Sequence, residues 1–122
     1  MKNKTITLPD LISGETYAGI VITDNGSMHH LILLDGDADD ATLQVQLDWA
    51  KSIGGDLPTR QEQALLYANC KSQFKSDWYW SADLYASGSG YAWYQIFGIG
   101  YQYYYGTSLK LRACAVRRLI IQ

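Results

Sequence analysis

The chain has 122 residues, of which 48% are hydrophobic and 18% are charged, and its formal net charge is −2. This composition is typical of a folded domain and argues against intrinsic disorder. The slightly acidic balance also excludes the general basic surface used in nucleic-acid binding, so we expect no nucleic-acid partner. A chain of this length forms one ordinary domain, which we expect to span residues 1–122.

The N-terminal segment contains lysines but no apolar stretch of the kind found in signal peptides. Elsewhere no run approaches the roughly 18 apolar residues that a membrane span needs. We therefore expect a protein of the cytoplasm, or of a phage particle assembled there, with no signal peptide and no membrane partner.

Cys70 and Cys114 are the two cysteines of the chain. They lack the CxxC spacing and the neighbouring histidine of a zinc site, and a disulfide would need an oxidising compartment. We interpret both as small buried hydrophobic residues, and we expect neither a metal site nor a cofactor.

Two apolar runs near the N-terminus, residues 17–22 and 30–34, predict a β-hairpin. The turn between them contains Asn25-Gly26, a pair that tolerates positive φ. His29 and His30 begin the returning strand. Since no third ligand accompanies them, we interpret these histidines as structural or solvent-facing.

Residues 35–40 are acidic, but they lack the glycine and the glutamate that an EF-hand needs at its sixth and twelfth positions. We predict a solvated loop in which Asp40 or Thr42 caps the following helix. Apolar residues recur at helical spacing from there, which predicts a helix over roughly 41–53 that Gly54 ends in the left-handed conformation.

A second helix is predicted to start at Thr59. Thr59 and Glu62 have the S/T-x-x-E spacing of a capping box, in which side chain and backbone bond reciprocally. Pro58 favours an extended Leu57 and so sets the entry to this helix. We expect the helix to fray near Lys71.

From Asp77 onward, short aromatic runs alternate with glycine turns, which predicts an antiparallel meander. The predicted strands are 78–81, 91–97, 101–105 and 110–119. The domain therefore divides into an N-terminal hairpin and acidic loop (1–40), two helices (41–72) and antiparallel strands (77–119).

Four motifs occur in an order that resembles the Lcl C-terminal-like domains, which have C-type-lectin-like folds related to the formylglycine-generating enzyme. The motifs are Gly54-Gly55-Asp56-Leu57-Pro58-Thr59-Arg60-Gln61-Glu62, Trp78-Tyr79-Trp80-Ser81-Ala82, Ala92-Trp93 and Arg112-Ala113-Cys114-Ala115-Val116-Arg117-Arg118. The resemblance covers about residues 42–119, and the N-terminal hairpin is similar to that of short prophage-borne members. It implies an α+β domain in which two helices flank a small antiparallel sheet, with Arg60, Trp80 and Arg117 as scaffold residues and a central last strand.

The chemistry of the related proteins is missing. The enzyme branch uses paired cysteines that hold copper, whereas Cys70 is predicted on a helix and Cys114 on a strand. Calcium-dependent lectins use Glu-Pro-Asn or Gln-Pro-Asp loops, but the prolines of this chain are Pro9 and Pro58. No nucleophile triad, phosphate loop or carboxylate pair stands out either. We therefore expect a protein that is not an enzyme.

Eight of the ten tyrosines and three of the four tryptophans lie between Trp78 and Tyr105. Residues 85–105 have the Tyr/Ser/Gly composition of antibody paratopes, in which tyrosine offers a large contact area with few torsions to freeze. These rings either pack the sheet or form a binding surface. The candidate ligand-binding residues are Tyr85, Tyr91, Trp93, Tyr94, Tyr101, Tyr103, Tyr104 and Tyr105.

The position of this segment is similar to that of the mutagenised segment in variable proteins of diversity-generating retroelements, including phage receptor-binding tips. The first functional hypothesis is therefore a recognition module, of phage or prophage origin, that binds a protein or glycan and acts in the cytoplasm or in the virion. The alternative is a small intracellular inhibitor or accessory protein that docks on a host defence complex through the acidic residues 35–40. A self-assembling structural phage protein is a further alternative, because an exposed aromatic patch also favours a homo-oligomer.

Overall fold

The computed structural model describes residues 5–87 and 89–122, in which the strands form two sheets and two helices pack against them. Gly88 of the predicted Tyr/Ser/Gly segment and residues 1–4 of the predicted N-terminal unit lie outside the described residues. In chain order the elements are β1 (Thr16–Ile22), β2 (Met28–Leu33), β3 (Ala38–Ala41), α1 (Leu43–Ser52), α2 (Arg60–Cys70), β4 (Trp78–Leu84), β5 (Tyr91–Ile96), β6 (Tyr101–Gly106), β7 (Leu111–Ala113) and β8 (Val116–Ile121). These elements confirm the predicted α+β class.

The smaller sheet has the strand order β1-β2-β8, and the larger has the order β3-β7-β4-β5-β6. The predicted hairpin is confirmed, since β1 and β2 pair antiparallel with Ile22 opposite Met28. In its turn Gly26 has φ of +83°, and Asn25 Oδ1 accepts a hydrogen bond from the Ser27 N–H at 3.1 Å. The second strand then pairs on its other side with β8.

The sequence signals for the helix ends are confirmed in all but one respect. Thr59 Oγ1 accepts from the Glu62 N–H at 3.1 Å, and Glu62 Oε1 accepts from the Thr59 N–H at 2.9 Å. After α1, Gly54 has φ of +88° and donates to the Lys51 carbonyl at 3.1 Å. The predicted cap of α1 is confirmed in position only, because Thr42 is the N-cap residue but its side chain makes no capping hydrogen bond.

The last predicted strand, residues 110–119, is wrong as a single element. It divides into β7, in the larger sheet, and β8, at the edge of the smaller one. Tyr79 pairs in parallel with Arg112, so only β4, β5 and β6 form the expected meander. All side chains from Leu111 to Val116 are buried, and the alternation therefore carries no sign of the point where the chain changes sheets. Of the two strands, β7 is interior to its sheet and β8 is not, so the expected central position holds only for residues 111–113.

Two buried clusters lie on opposite sides of β4. Tyr79 packs with Phe97 in the cluster beneath α2, and Trp80 packs with Leu43 in the cluster beneath α1. Both β4 rings are fully buried, as expected where successive side chains of a strand point to opposite faces. Trp80 Nε1 also donates to the Ala41 carbonyl at 3.1 Å, which agrees with a scaffold role.

Cys70 and Cys114 are both buried as free thiols in the cluster beneath α2, as predicted. Burial raises the pKa of both thiols, so they stay protonated at neutral pH.

A buried carboxylate connects α2 to two strands of the smaller sheet. Glu62, with a side chain 1% exposed, accepts two hydrogen bonds of 2.6 Å from Arg118 and lies 2.7 Å from His29 Nε2. Burial raises the pKa of this carboxyl. The Arg118 guanidinium, the Thr59 N–H and His29 together lower the pKa by more than burial raises it, so it lies below its ordinary value. Arg117, which precedes Arg118 on β8, makes a similar two-bond pair with Glu15.

We predict that Glu62→Gln destabilises the protein by about 1–3 kcal/mol at neutral pH, because Arg118 loses its two shortest carboxylate bonds and keeps Asp56, at 3.2 Å, as a charged partner. Since folding lowers the pKa of Glu62, this carboxylate stabilises the fold above its unfolded pKa of about 4.3, and the contribution disappears as pH falls through the folded pKa. Urea unfolding between neutral and acidic pH should therefore show a shallower pH dependence for the variant. The control is Asp24→Asn, which removes an exposed carboxylate from the β1–β2 turn; equal slopes for Glu62→Gln and wild type would contradict the assignment.

Candidate functional site

The eight predicted binding residues lie on or beside β6, the terminal strand of the larger sheet. Together they are called the aromatic edge below. The pairing of β5 with β6 puts Trp93 opposite Tyr104 and Tyr94 opposite Tyr103. Because opposite residues of an antiparallel pair share a face, the register divides the set between two faces. The α2 face carries Tyr85, Tyr91, Trp93 and Tyr104, and the α1 face carries Tyr94, Tyr101, Tyr103 and Tyr105.

On the α2 face, Trp93 is the centre of a packed cluster. The Arg60 guanidinium lies 3.5 Å from the centroid of the Trp93 ring, a close cation–π contact. Gln102 fixes this arginine from two sides, accepting from Arg60 Nε at 3.1 Å and donating to the Arg60 carbonyl at 2.8 Å. The rings of Tyr85 and Tyr104 flank Trp93 at centroid distances of 5.6 and 5.5 Å.

On the α1 face, three β6 tyrosines form an exposed row, called the Tyr101 row below. Tyr101 is 57%, Tyr103 48% and Tyr105 38% exposed. Their spacing of two residues puts them on one side of the strand. Behind the row, Trp78 stacks on Tyr94 with centroids 4.8 Å apart. Tyr94 is only 4% exposed, so among the predicted residues it supports the row from within the core and offers no surface to a partner.

Tyr104 joins the two faces at the edge of the sheet. Its ring lies 4.6 Å from that of Tyr103 and 3.9 Å from that of Tyr85, centroid to centroid. The neighbouring hydroxyls of Tyr103 and Tyr85 raise the pKa of Tyr104 to about 12. The phenol therefore stays neutral at physiological pH, and the aromatic edge is continuous from one face to the other.

Sequence reasoning missed three members of this site. Trp78 stacks on Tyr94, Arg60 lies over Trp93, and Gln102 bonds to Arg60. Arg60 and Gln102 are 42 positions apart in the sequence. The alternation along β6 was the available signal for the Tyr101 row. No local pattern signals that α2 brings an arginine onto Trp93.

The acidic segment is partly structural, which corrects the prediction of a solvated loop. Asp37 Oδ1 accepts from Arg112 Nη2 at 2.7 Å, and Asp37 Oδ2 accepts from the Tyr79 hydroxyl at 2.5 Å. Residues 38–41 form β3, which pairs with β7. Asp39 and Asp40 remain exposed as predicted, although Asp39 also lies 3.3 Å from Arg112.

The predicted histidine pair is buried and structural. His29 contacts Glu62, and His30 Nδ1 lies 2.8 Å from the Tyr17 hydroxyl. Within residues 5–87 and 89–122, no group of three or more His, Cys, Asp or Glu side chains could hold a metal ion. In the same part of the chain no helix is long and apolar enough to cross a membrane.

Comparison with known proteins gives no assignment: no protein-family model matches the chain, and no curated protein matches it.

We predict that Tyr104→Phe reduces by one the number of tyrosines that remain protonated at about pH 11, where an ordinary phenol with a pKa near 10 has mostly ionised. Tyr85→Phe should shift the Tyr104 titration to lower pH, because it removes one of the two hydroxyl contacts that raise its pKa. Ultraviolet difference titration measures both effects, with circular dichroism to verify that the fold persists. If Tyr104→Phe instead removed one of the tyrosines that titrate near pH 10, the assignment of the raised pKa to Tyr104 would be contradicted.

Proposed function

We propose that this protein is a non-enzymatic recognition module that binds a protein or a glycan through the aromatic edge. The observation that carries the proposal is the exposed row of Tyr101, Tyr103 and Tyr105, whose rings are 57%, 48% and 38% exposed on one strand. Tyrosine is enriched among the residues that dominate binding energy, because one rigid ring offers apolar area and a polar tip.

The rigidity of the edge supports this role. Trp78 and Tyr94 back the row from behind, and Arg60 and Gln102 fix the Trp93 cluster on the other face. Rings that are already held in place lose little conformational entropy on binding. On the α2 face, Tyr85 and Tyr91 are each 46% exposed and extend the available contact area.

We also propose that the fold is C-type-lectin-like and that the protein is prophage-encoded, acting in the cytoplasm or in a virion. The support is the ordered set of motifs on the described elements. The Leu57-Pro58-Thr59 motif leads into α2, the Trp78 motif begins β4, and Ala92-Trp93 lies on β5. The last motif spans the change from β7 to β8.

We predict that the variant with Tyr101, Tyr103 and Tyr105 changed to Ser loses its partner, with binding at least about tenfold weaker, because such rings act as binding hot spots. The immobilised protein is incubated with a glycan array and with bacterial cytosolic and envelope extracts, and retained components are quantified. The probe identifies the partner class, and the extract that supplies the partner distinguishes an intracellular from a surface target.

Two matched variants accompany this experiment. The change of Tyr85 and Tyr91 to Ser tests the α2 face, and the change of Asp39 and Asp40 to Asn tests docking through the acidic segment. The proposal would be refuted if the variant of Tyr101, Tyr103 and Tyr105 bound the partner in full while the variant of Asp39 and Asp40 did not. That result would favour the alternative of an inhibitor or accessory protein that docks through its acidic segment. Circular dichroism and thermal unfolding establish that each variant is folded.

A further inference from the structure

The backbone of β6 has one edge that no described strand covers. Phe97 donates to the Asp77 carbonyl at 3.0 Å, so the odd-numbered residues of β5 bond towards β4. Thr107 donates to the Gly90 carbonyl at 2.9 Å, which puts even-numbered residues of β5 in register with odd-numbered residues of β6. Since antiparallel bonds alternate along a strand, the N–H and C=O groups of Gln102 and Tyr104 point away from the sheet.

This edge lacks the features that usually prevent an edge strand from pairing with a strand of another molecule. Natural edge strands are protected by charged side chains, prolines or bulges. The six residues Tyr101–Gly106 contain no charge and no proline, and their pairing with β5 runs without a register shift. A straight, neutral strand with unpaired backbone groups is an open template for a further strand.

We propose that this strand is β6 of a second copy of the protein, paired antiparallel across a two-fold axis at Tyr103. The sequence Tyr101-Gln102-Tyr103-Tyr104-Tyr105 is nearly palindromic about its centre. In this register Tyr103 faces Tyr103 of the second copy, and Tyr101 faces Tyr105. The outward backbone groups of Gln102 meet those of Tyr104, and these are groups that have no partner within the described part of a single copy.

The charge of the strand fits a second copy as occupant, and the available area predicts that the dimer is weak. A two-fold interface brings each residue close to its own copy, so a charged strand would repel itself, whereas β6 carries only Tyr, Gln and Gly. At roughly 150–250 Å² per ring, the exposed fractions of 57%, 48% and 38% leave on the order of 200–350 Å² of tyrosine surface per copy. Even if the dimer covered all of this area, it would bury less than the roughly 800 Å² per partner of a standard interface, so we expect the dimer to dissociate on dilution.

The pairing goes beyond the proposed recognition function and does not depend on it. It joins two five-stranded sheets into one and sets the two Tyr101 rows side by side on the same face. Such a doubled row would be a larger platform than either copy offers alone. If the protein proves monomeric, the recognition proposal still stands on the single row.

The first test is sedimentation velocity over a wide range of protein concentration. Wild type should shift from monomer to dimer as concentration rises, whereas Tyr103→Glu and Tyr103→Lys should each raise the dissociation constant at least about tenfold, because like charges meet at the axis. An equimolar mixture of the two variants should recover the dimer, since opposite charges then face each other. Val45→Glu and Val45→Lys, at an exposed position on α1, are the matched controls and should dimerise as wild type does.

The second test fixes the register by cysteine cross-linking under mild oxidation. Tyr103→Cys should form a dimer disulfide, because opposite residues of a non-hydrogen-bonded pair have Cα atoms roughly 4.5 Å apart, within disulfide reach. Tyr101→Cys alone should not, since its two copies lie about 14 Å apart in this register, but it should cross-link to Tyr105→Cys. The native Cys70 and Cys114 are buried and serve as an internal background.

A monomer at every concentration would overturn the proposal, as would a dimer that Tyr103→Glu leaves intact. Cross-linking of Tyr101→Cys with itself would also overturn it, because it requires another alignment of the strands. Recovery of the dimer in the mixed sample, together with the Tyr101–Tyr105 cross-link, would support it even if one charged variant were less stable alone.

Discussion

The carboxylate of Glu62 is the contact on which the arrangement of the chain depends. It caps α2 through the Thr59 N–H, accepts two hydrogen bonds from Arg118 on β8, and contacts His29 on β2. Three elements from distant parts of the sequence therefore meet at one buried charge. Because an isolated buried carboxylate is costly, the three partners must be present together, and this requirement sets α2 against the smaller sheet.

Short-range signals in the sequence predicted the local structure well. The capping box joins residues three positions apart, and Asn25-Gly26 and Gly54 act on their own turns, so each could be interpreted without the rest of the fold. The partners of Arg118 and Arg112 could not, since they lie 56 and 75 positions away. Pairing over such distances is decided by the order of strands in the two sheets, which alternation does not encode.

The same limit explains what the sequence could say about the candidate site. The composition of residues 85–105 indicates an aromatic segment, and the two-residue alternation of a strand is enough to put Tyr101, Tyr103 and Tyr105 on one side. Which side a helix covers depends on register and packing. For that reason Tyr94, with the same residue type as its neighbours, is buried beside Trp78, while Tyr103 opposite it is half exposed.

The exposed rings of β6 and the outward N–H and C=O groups of its backbone suit different kinds of partner. Backbone N–H and C=O groups at a sheet edge are satisfied by another strand or by water, so their geometry selects an extended chain. The faces of tyrosine rings accept any flat or apolar surface and keep their hydroxyls in contact with solvent. Pairing along the edge leaves the outer faces of the Tyr101 row uncovered, because side chains of neighbouring strands stand side by side and perpendicular to the sheet. Self-association through the backbone and recognition through the rings are therefore compatible on one strand, and a dimer would present the recognition surface twice in a fixed two-fold arrangement.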